Sequence, residues 1–186
     1  RMHKAIAVIQ FKVEGQLIKE HPEWDMKERL LLDKIDYEQG TIKLNGKEYP
    51  LNDTYFPTID PKDPYKLTQQ EEDVVERLKN SFLGSERLQR HIRFLYTKGS
   101  LYKVYNGNLL YHGCVPLNED GSFMKVNIYG KTYSGKALYD ILEHYARKGY
   151  YSIDLQEKKR GEDILWYIWK NKHSPVFGKE RMATFE

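Results

Sequence analysis

Two Asn-Gly dipeptides constrain this chain more than any other feature. Asn45-Gly46 lies between Thr41-Ile42-Lys43-Leu44 and Lys47-Glu48-Tyr49, and Asn106-Gly107 lies between Leu101–Tyr105 and Asn108–Tyr111. A tight turn between right-twisted strands needs two successive residues at positive φ, which Asn and Gly tolerate best, so each dipeptide predicts a hairpin. The returning arm of the second, Leu109-Leu110-Tyr111, is apolar at consecutive positions. Such a run suits a strand covered on both faces, at the centre of a layered α/β structure.

Helical patterns surround these hairpins. Residues 3–20 read as an amphipathic helix with Ile6, Ile9, Val13 and Leu17, ending near His21-Pro22 because the residue before proline is pushed out of the helical region. A shorter helix is expected from Asp25 to Asp33. Pro57, Pro61 and Pro64, with Pro50 just ahead of them, make residues 51–65 an extended connector. Thr68 and Glu71 form a capping box ahead of Val74, Val75, Leu78 and Phe82. Gly84 suits a left-handed helix end and Ser85 an N-cap for the stripe Leu88, Ile92 and Leu95, giving a helical hairpin that ends at Gly99. Beyond the second Asn-Gly turn, a strand pair is expected within Phe123–Tyr133. Ser134 should then cap a helix running to Gly149, and a last helix carries Ile164, Leu165, Ile168 and Trp169. The texture changes near Gly99, so residues 1–98 read as a helical and hairpin region and residues 99–186 as mixed α/β. The fold class is α+β.

Composition narrows the setting. With 31% charged residues, no apolar run approaches the roughly 18 residues of a membrane span. Thirty basic against 27 acidic residues, a net charge of +3, are interleaved and give no footprint for nucleic acid or a membrane surface. A single cysteine, Cys114, excludes an internal disulfide and points to a reducing compartment, the cytoplasm. The start at Arg1, with a helical pattern running almost at once, and the apolar finish Met182–Glu186 both read as cuts from something longer.

His112 is the leading candidate for chemistry. It follows the apolar run of the second hairpin and precedes Gly113, which places an imidazole at the carboxyl end of a strand, where open α/β sheets put their sites. The glycine would let the backbone approach a ligand or metal closely. From spacing alone, a hydrogen-bonded structural histidine is the commoner outcome. Cys114, with no second cysteine, reads as a buried, inert thiol and not as a zinc ligand. Gly130-Lys131-Thr132 lacks the first glycine of a phosphate loop and is followed by the strand-like Tyr133. Lys158-Lys159-Arg160 sits between acids as a solvated approach to a helix.

Three blocks carry a resemblance. They are Phe56-Pro57-Thr58-Ile59-Asp60-Pro61-Lys62-Asp63-Pro64-Tyr65, the stretch from Lys98-Gly99-Ser100-Leu101-Tyr102 through Leu110-Tyr111-His112-Gly113-Cys114-Val115-Pro116-Leu117-Asn118-Glu119-Asp120-Gly121, and Leu165-Trp166-Tyr167-Ile168-Trp169 with Ser174-Pro175. Together they resemble the bacterial class III fructose-1,6-bisphosphatases, over essentially the whole chain. The resemblance implies a calcineurin-like metallophosphoesterase, an αββα sandwich holding two divalent metals, usually manganese. It implies hydrolysis of fructose 1,6-bisphosphate by a metal-activated water, in gluconeogenesis.

Of the metal-ligand motifs of that family, only His112-Gly113 occurs here. Gly-Asp and Gly-His dipeptides are absent, and Gly107-Asn108 is followed by Leu109 and not by histidine. One histidine cannot hold a dinuclear centre, because hard divalent ions need several converging ligands. The expectation is therefore a middle segment of such an enzyme, inactive alone and binding no metal tightly. His112 would be a metal ligand, and Asn118 and Asp120 would line the substrate cleft, although polar residues before a glycine are commonly turn formers. The expected partners are a sugar bisphosphate, the remainder of the same chain and a homo-oligomer. The rival readings are a phosphoesterase with another substrate, and an assembly or regulatory module.

Overall fold

The structure is a computed structural model and describes residues 2–177; Arg1 and the apolar finish Met182–Glu186 lie outside the described residues. The chain divides into two compact units, one up to Glu86 and one from Arg87 onward.

In the first unit, helix α1 (Met2–Glu20) forms where the periodicity placed it, but its buried positions are Val8, Lys12, Gly15 and Ile18. Ile6 and Val13, expected in the apolar stripe, are exposed. The displacement follows from what covers the helix. The proline-rich connector runs along α1 and is anchored by side chains of the buried face. Lys4 Nζ donates to Asp53 O at 3.0 Å, Lys12 Nζ to Thr58 O at 2.5 Å, and Gln16 Nε2 to Tyr65 O at 2.7 Å. A Cβ on Gly15 would lie 2.0 Å from Tyr65 Cδ1, so the tyrosine ring occupies the space where any other residue would put its side chain.

Residues 22–34 form three 3-10 turns, Pro22–Trp24, Lys27–Arg29 and Leu32–Lys34, in place of the single helix expected there. Asp25 closes the first turn in the left-handed region (φ 51°), which interrupts any continuous helix. Strands β1 (Ile35–Asp36), β2 (Thr41–Leu44) and β3 (Lys47–Pro50) then make an antiparallel sheet in that order, with Ile42 opposite Tyr49. Asn45 (φ 51°) and Gly46 (φ 77°) supply the predicted turn. Helix α2 (Gln69–Leu83) opens on the predicted capping box, in which Thr68 Oγ1 accepts from Glu71 N and Glu71 Oε2 accepts from Thr68 N. Gly84 ends it at φ −77°, right-handed and not left-handed as expected.

The second unit begins with helix α3 (Glu86–Lys98), so the two helices read as one hairpin are divided between the units. Its core is the contact between helices α4 (Gly135–Tyr151) and α5 (Leu155–Lys170), where Leu138, Leu142 and Ile164 are fully buried. Gly149 lies inside α4 and does not end it. A Cβ on Gly161 would sit 2.1 Å from Gly149 N, so the two helices touch backbone to backbone at this glycine pair. Ser134 occupies the N-cap position of α4, but its side chain accepts no capping bond. Strands β6 (Val126–Ile128) and β7 (Lys131–Tyr133) pair antiparallel through Tyr129-Gly130. Tyr129 adopts φ 49°, an uncommon conformation for a bulky residue, and its hydroxyl donates to Arg160 O at 2.8 Å.

The second predicted hairpin forms from β4 (Tyr102–Tyr105) and β5 (Asn108–Tyr111), with Asn106 and Gly107 at positive φ. The expectation that β5 is central and covered is not met among the described residues. Its one strand partner is β4, and Leu109 and Leu110 are 56% and 53% exposed. No helix among the described residues is long and apolar enough to cross a membrane.

Candidate functional site

His112 follows β5 directly, in a bend, and is exposed. The backbone after it is held by the corner that ends α5. There Asn171 and Ser174 are fully buried, and Ser174 Oγ donates to Ile168 O while accepting from Val176 N at 3.1 Å and Phe177 N at 3.2 Å. Ser174 thus satisfies a carbonyl of the last helical turn and bends the chain, the arrangement that orphan groups at a helix end require. The bend presents Pro175 O, which accepts from Cys114 N at 2.8 Å. A Cβ on Gly113 would lie 2.2 Å from that same oxygen and 2.6 Å from Val176 O. The glycine after His112 is therefore required by the backbone at 175–176. Tyr139 of α4 adds a second anchor, its hydroxyl donating to Cys114 O at 2.8 Å; burial pushes this phenol up to about 12. Two sequence blocks some 60 positions apart, His112-Gly113 and Ser174-Pro175, meet here.

Cys114 is exposed and not buried as expected, with Sγ 3.5 Å from Ser174 O. Asn118 and Asp120 lie in the following loop, where both close a turn on Ser122. Asn118 N donates to Ser122 O and its Nδ2 to Ser122 Oγ, each at 2.9 Å. Asp120 Oδ1 accepts from Ser122 Oγ at 2.6 Å and Ser122 N at 2.9 Å, bonds that hold this carboxyl below the usual range.

Residue periodicity in α4 carried a further cluster that sequence reasoning passed over. Asp140, Glu143, His144 and Arg147 follow helical i, i+3, i+4, i+7 spacing, and with Ser100 and Tyr102 they line a cleft of about 280 Å³. Glu143 Oε2 accepts from Ser100 Oγ at 2.6 Å and from Leu101 N at 3.1 Å, and Arg147 Nη2 donates to Gly99 O at 2.9 Å. Tyr102 OH donates to Asp140 Oδ1 at 2.8 Å. These bonds fasten the base of the β4–β5 hairpin to α4, and Tyr102 and Tyr111 both meet the Tyr139 ring edge-on. The site is thus a positioned strand end, with His112 at its tip.

Among the described residues, no group of three or more imidazole, thiol or carboxylate ligand atoms includes His112. The described residues around His112 do not by themselves fit a dinuclear metal centre, which needs several ligands per ion.

The Firmicute fructose-1,6-bisphosphatase family matches residues 1–186 of this chain. The chain is 59% identical to the class 3 fructose-1,6-bisphosphatase of Clostridium novyi, 58% identical to that of Clostridioides difficile and 57% identical to that of Clostridium tetani. Each comparison covers 100% of this chain and 28% of the relative, so the chain spans just over a quarter of the length of the curated relatives it matches. No solved structure matches it.

Proposed function

Because the chain belongs to the Firmicute fructose-1,6-bisphosphatase family, we propose that it is a segment of a longer enzyme that hydrolyses fructose 1,6-bisphosphate to fructose 6-phosphate and phosphate. The reaction would serve gluconeogenesis in the cytoplasm. In this reading residues 1–98 are an insertion, and residues 99–186 contribute strands and helices to a calcineurin-like αββα sandwich.

The observation that carries the reading is the placement of His112. An exposed imidazole stands at the end of a strand, and two residues beyond it the Cys114 backbone is held at its carbonyl by Tyr139 and at its amide by Pro175. A metal ligand needs such positioning, because a ring free to wander loses affinity to entropy and misplaces the ion. His112 would supply one ligand to a divalent centre, manganese in this family, and the remaining ligands come from outside this chain. Asn118 and Asp120, in the exposed loop beyond it, would border the sugar phosphate. No chemical step is assigned to the chain alone.

The test is made in the full-length enzyme. His112→Ala should lower manganese-dependent phosphate release at least 100-fold and weaken metal binding measured by calorimetry, in line with the loss of one ligand. Wild-type turnover and metal affinity in that variant would return His112 to a structural role. The 186-residue chain by itself should release no phosphate from fructose 1,6-bisphosphate with manganese present.

A further inference from the structure

Helix α3 is held to the second unit by one face and leaves the opposite face open. Leu88, Ile92 and Tyr96, four apart, are half-buried; Tyr96 stacks on Tyr150 of α4 with centroids 5.1 Å apart, and the Tyr150 hydroxyl donates to Gln89 Oε1 at 2.9 Å. On the far side Arg87, Arg90, His91, Phe94 and Lys98 recur at spacings of three and four and are all exposed, Phe94 by 69%. Glu86, in the first turn, is the one acid of the helix against its three arginines and one lysine. Among the described residues none of the cations on the open face makes an ion pair. Arginine and exposed aromatic rings are the groups that contacts between proteins gather. Three occupants are disfavoured by the chemistry. A lipid surface takes the apolar face of an amphipathic helix, and here that face is turned to α4. A small anion needs a concave site, whereas the outside of a helix is convex. A second α3 laid on the first is repelled by like charge. An acidic, concave protein surface meets every requirement.

The first unit has such a surface. A cleft of about 1080 Å³ is lined by five carboxylates, Glu28, Asp33, Asp36, Glu38 and Glu48, against two lysines, Lys34 and Lys43. Glu28 pairs with Lys34 at 2.9 Å, and Lys43 stands opposite Glu48 in the β2–β3 ladder. That leaves Asp36 and Glu38 uncompensated and Asp33 with only Lys19, at 3.9 Å, so the cleft is negative. Ile35, Tyr37, Pro61 and Pro64 add apolar surface on which an aromatic ring can settle. We infer that the open face of α3 in one copy of this protein docks into the acidic cleft of a second copy. Phe94 enters against the prolines and Tyr37, while Arg87 and Arg90 meet Asp33, Asp36 and Glu38. Opposite charge on the two surfaces fixes the pairing of α3 with cleft over α3 with α3. The docking does not depend on the proposed activity.

Charge reversal in the full-length protein tests this, with self-association measured by sedimentation and light scattering. Arg87→Glu with Arg90→Glu should weaken association about tenfold or more, with the circular dichroism spectrum unchanged because both side chains are exposed. Asp33→Lys with Glu38→Lys, also exposed, should weaken it alike. Mixing the two double variants should then restore association, since each reversed surface meets its reversed mate on the other chain. Native-strength association in either double variant, no recovery on mixing, or a native protein that stays monomeric would overturn the inference. Binding to phosphatidylserine vesicles that the α3 reversal abolishes, with association unchanged, would assign the face to a lipid surface and overturn it equally.

Discussion

Replacing Lys12 by methionine tests whether one buried ion pair holds the connector onto α1. Lys12 is fully buried, and its Nζ lies 2.7 Å from Glu71 Oε2 and 2.5 Å from Thr58 O. Glu71 is itself 5% exposed. Methionine keeps most of the apolar stem, so packing changes little; the loss is the charge and its donors. Removing one member of a buried pair costs about 3–5 kcal/mol, because the remaining charge is uncompensated. After the substitution Glu71 would keep the Thr68 amide, at 2.8 Å, as its capping partner. Glu71→Gln should cost less than Lys12→Met, since the amide oxygen can still accept in the capping box. The double variant should be more stable than the sum of the singles predicts by about 1–3 kcal/mol, the coupling expected of residues in one network. Urea unfolding followed by tryptophan emission in a Trp166→Phe, Trp169→Phe background, which leaves the buried Trp24 as the reporter, reads the first unit. With a slope of about 1–3 kcal/mol per molar urea, the Lys12→Met midpoint should fall by at least 1 M or so. A loss below about 1 kcal/mol, or strict additivity of the two substitutions, would refute the reasoning.

The same pair sets an acid limit. Burial alone would raise the Glu71 carboxyl, but hydrogen bonds from Lys12 and the Thr68 amide outweigh it and hold the group below its usual range. A depressed carboxyl contributes stability in full above its unfolded value, about 4.3, and loses it as pH falls through the folded one. Unfolding midpoints of the first unit should therefore drop below about pH 4.3 in the native chain, and by less in Glu71→Gln. Gly161→Ala forces α4 and α5 apart, since its Cβ would meet Gly149 N at 2.1 Å. We expect a loss of about 1–3 kcal/mol, visible as a lower thermal midpoint by calorimetry; an unchanged midpoint would mean the helices separate freely. Gly113→Ala collides with Pro175 O and should break the Cys114–Pro175 bond, moving His112. Its signature is at least a tenfold loss of manganese-dependent turnover in the full-length enzyme with folding retained by circular dichroism, and full activity would count against the pinning of His112.

Local chemistry determined much of this protein by itself. Asn45-Gly46 and Asn106-Gly107 turned where they were expected to, and Thr68 with Glu71 opened α2, because positive φ and orphan amides at a helix start are properties of a few adjacent residues. The resemblance was also legible, since its blocks are linear. Other features depended on residues far apart in the chain. The buried face of α1 is set by the connector, so a lysine and a glycine are buried there while Ile6 and Val13 are exposed. Gly149 reads as a helix end but packs against Gly161 inside α4, and only the approach of α5 gives that meaning. For His112 the sequence supplied an imidazole and a following glycine. The tertiary structure decided that this glycine answers to Pro175, and that Leu109 and Leu110 of β5 are exposed, because backbone collision and exposure are properties of segments brought together by folding.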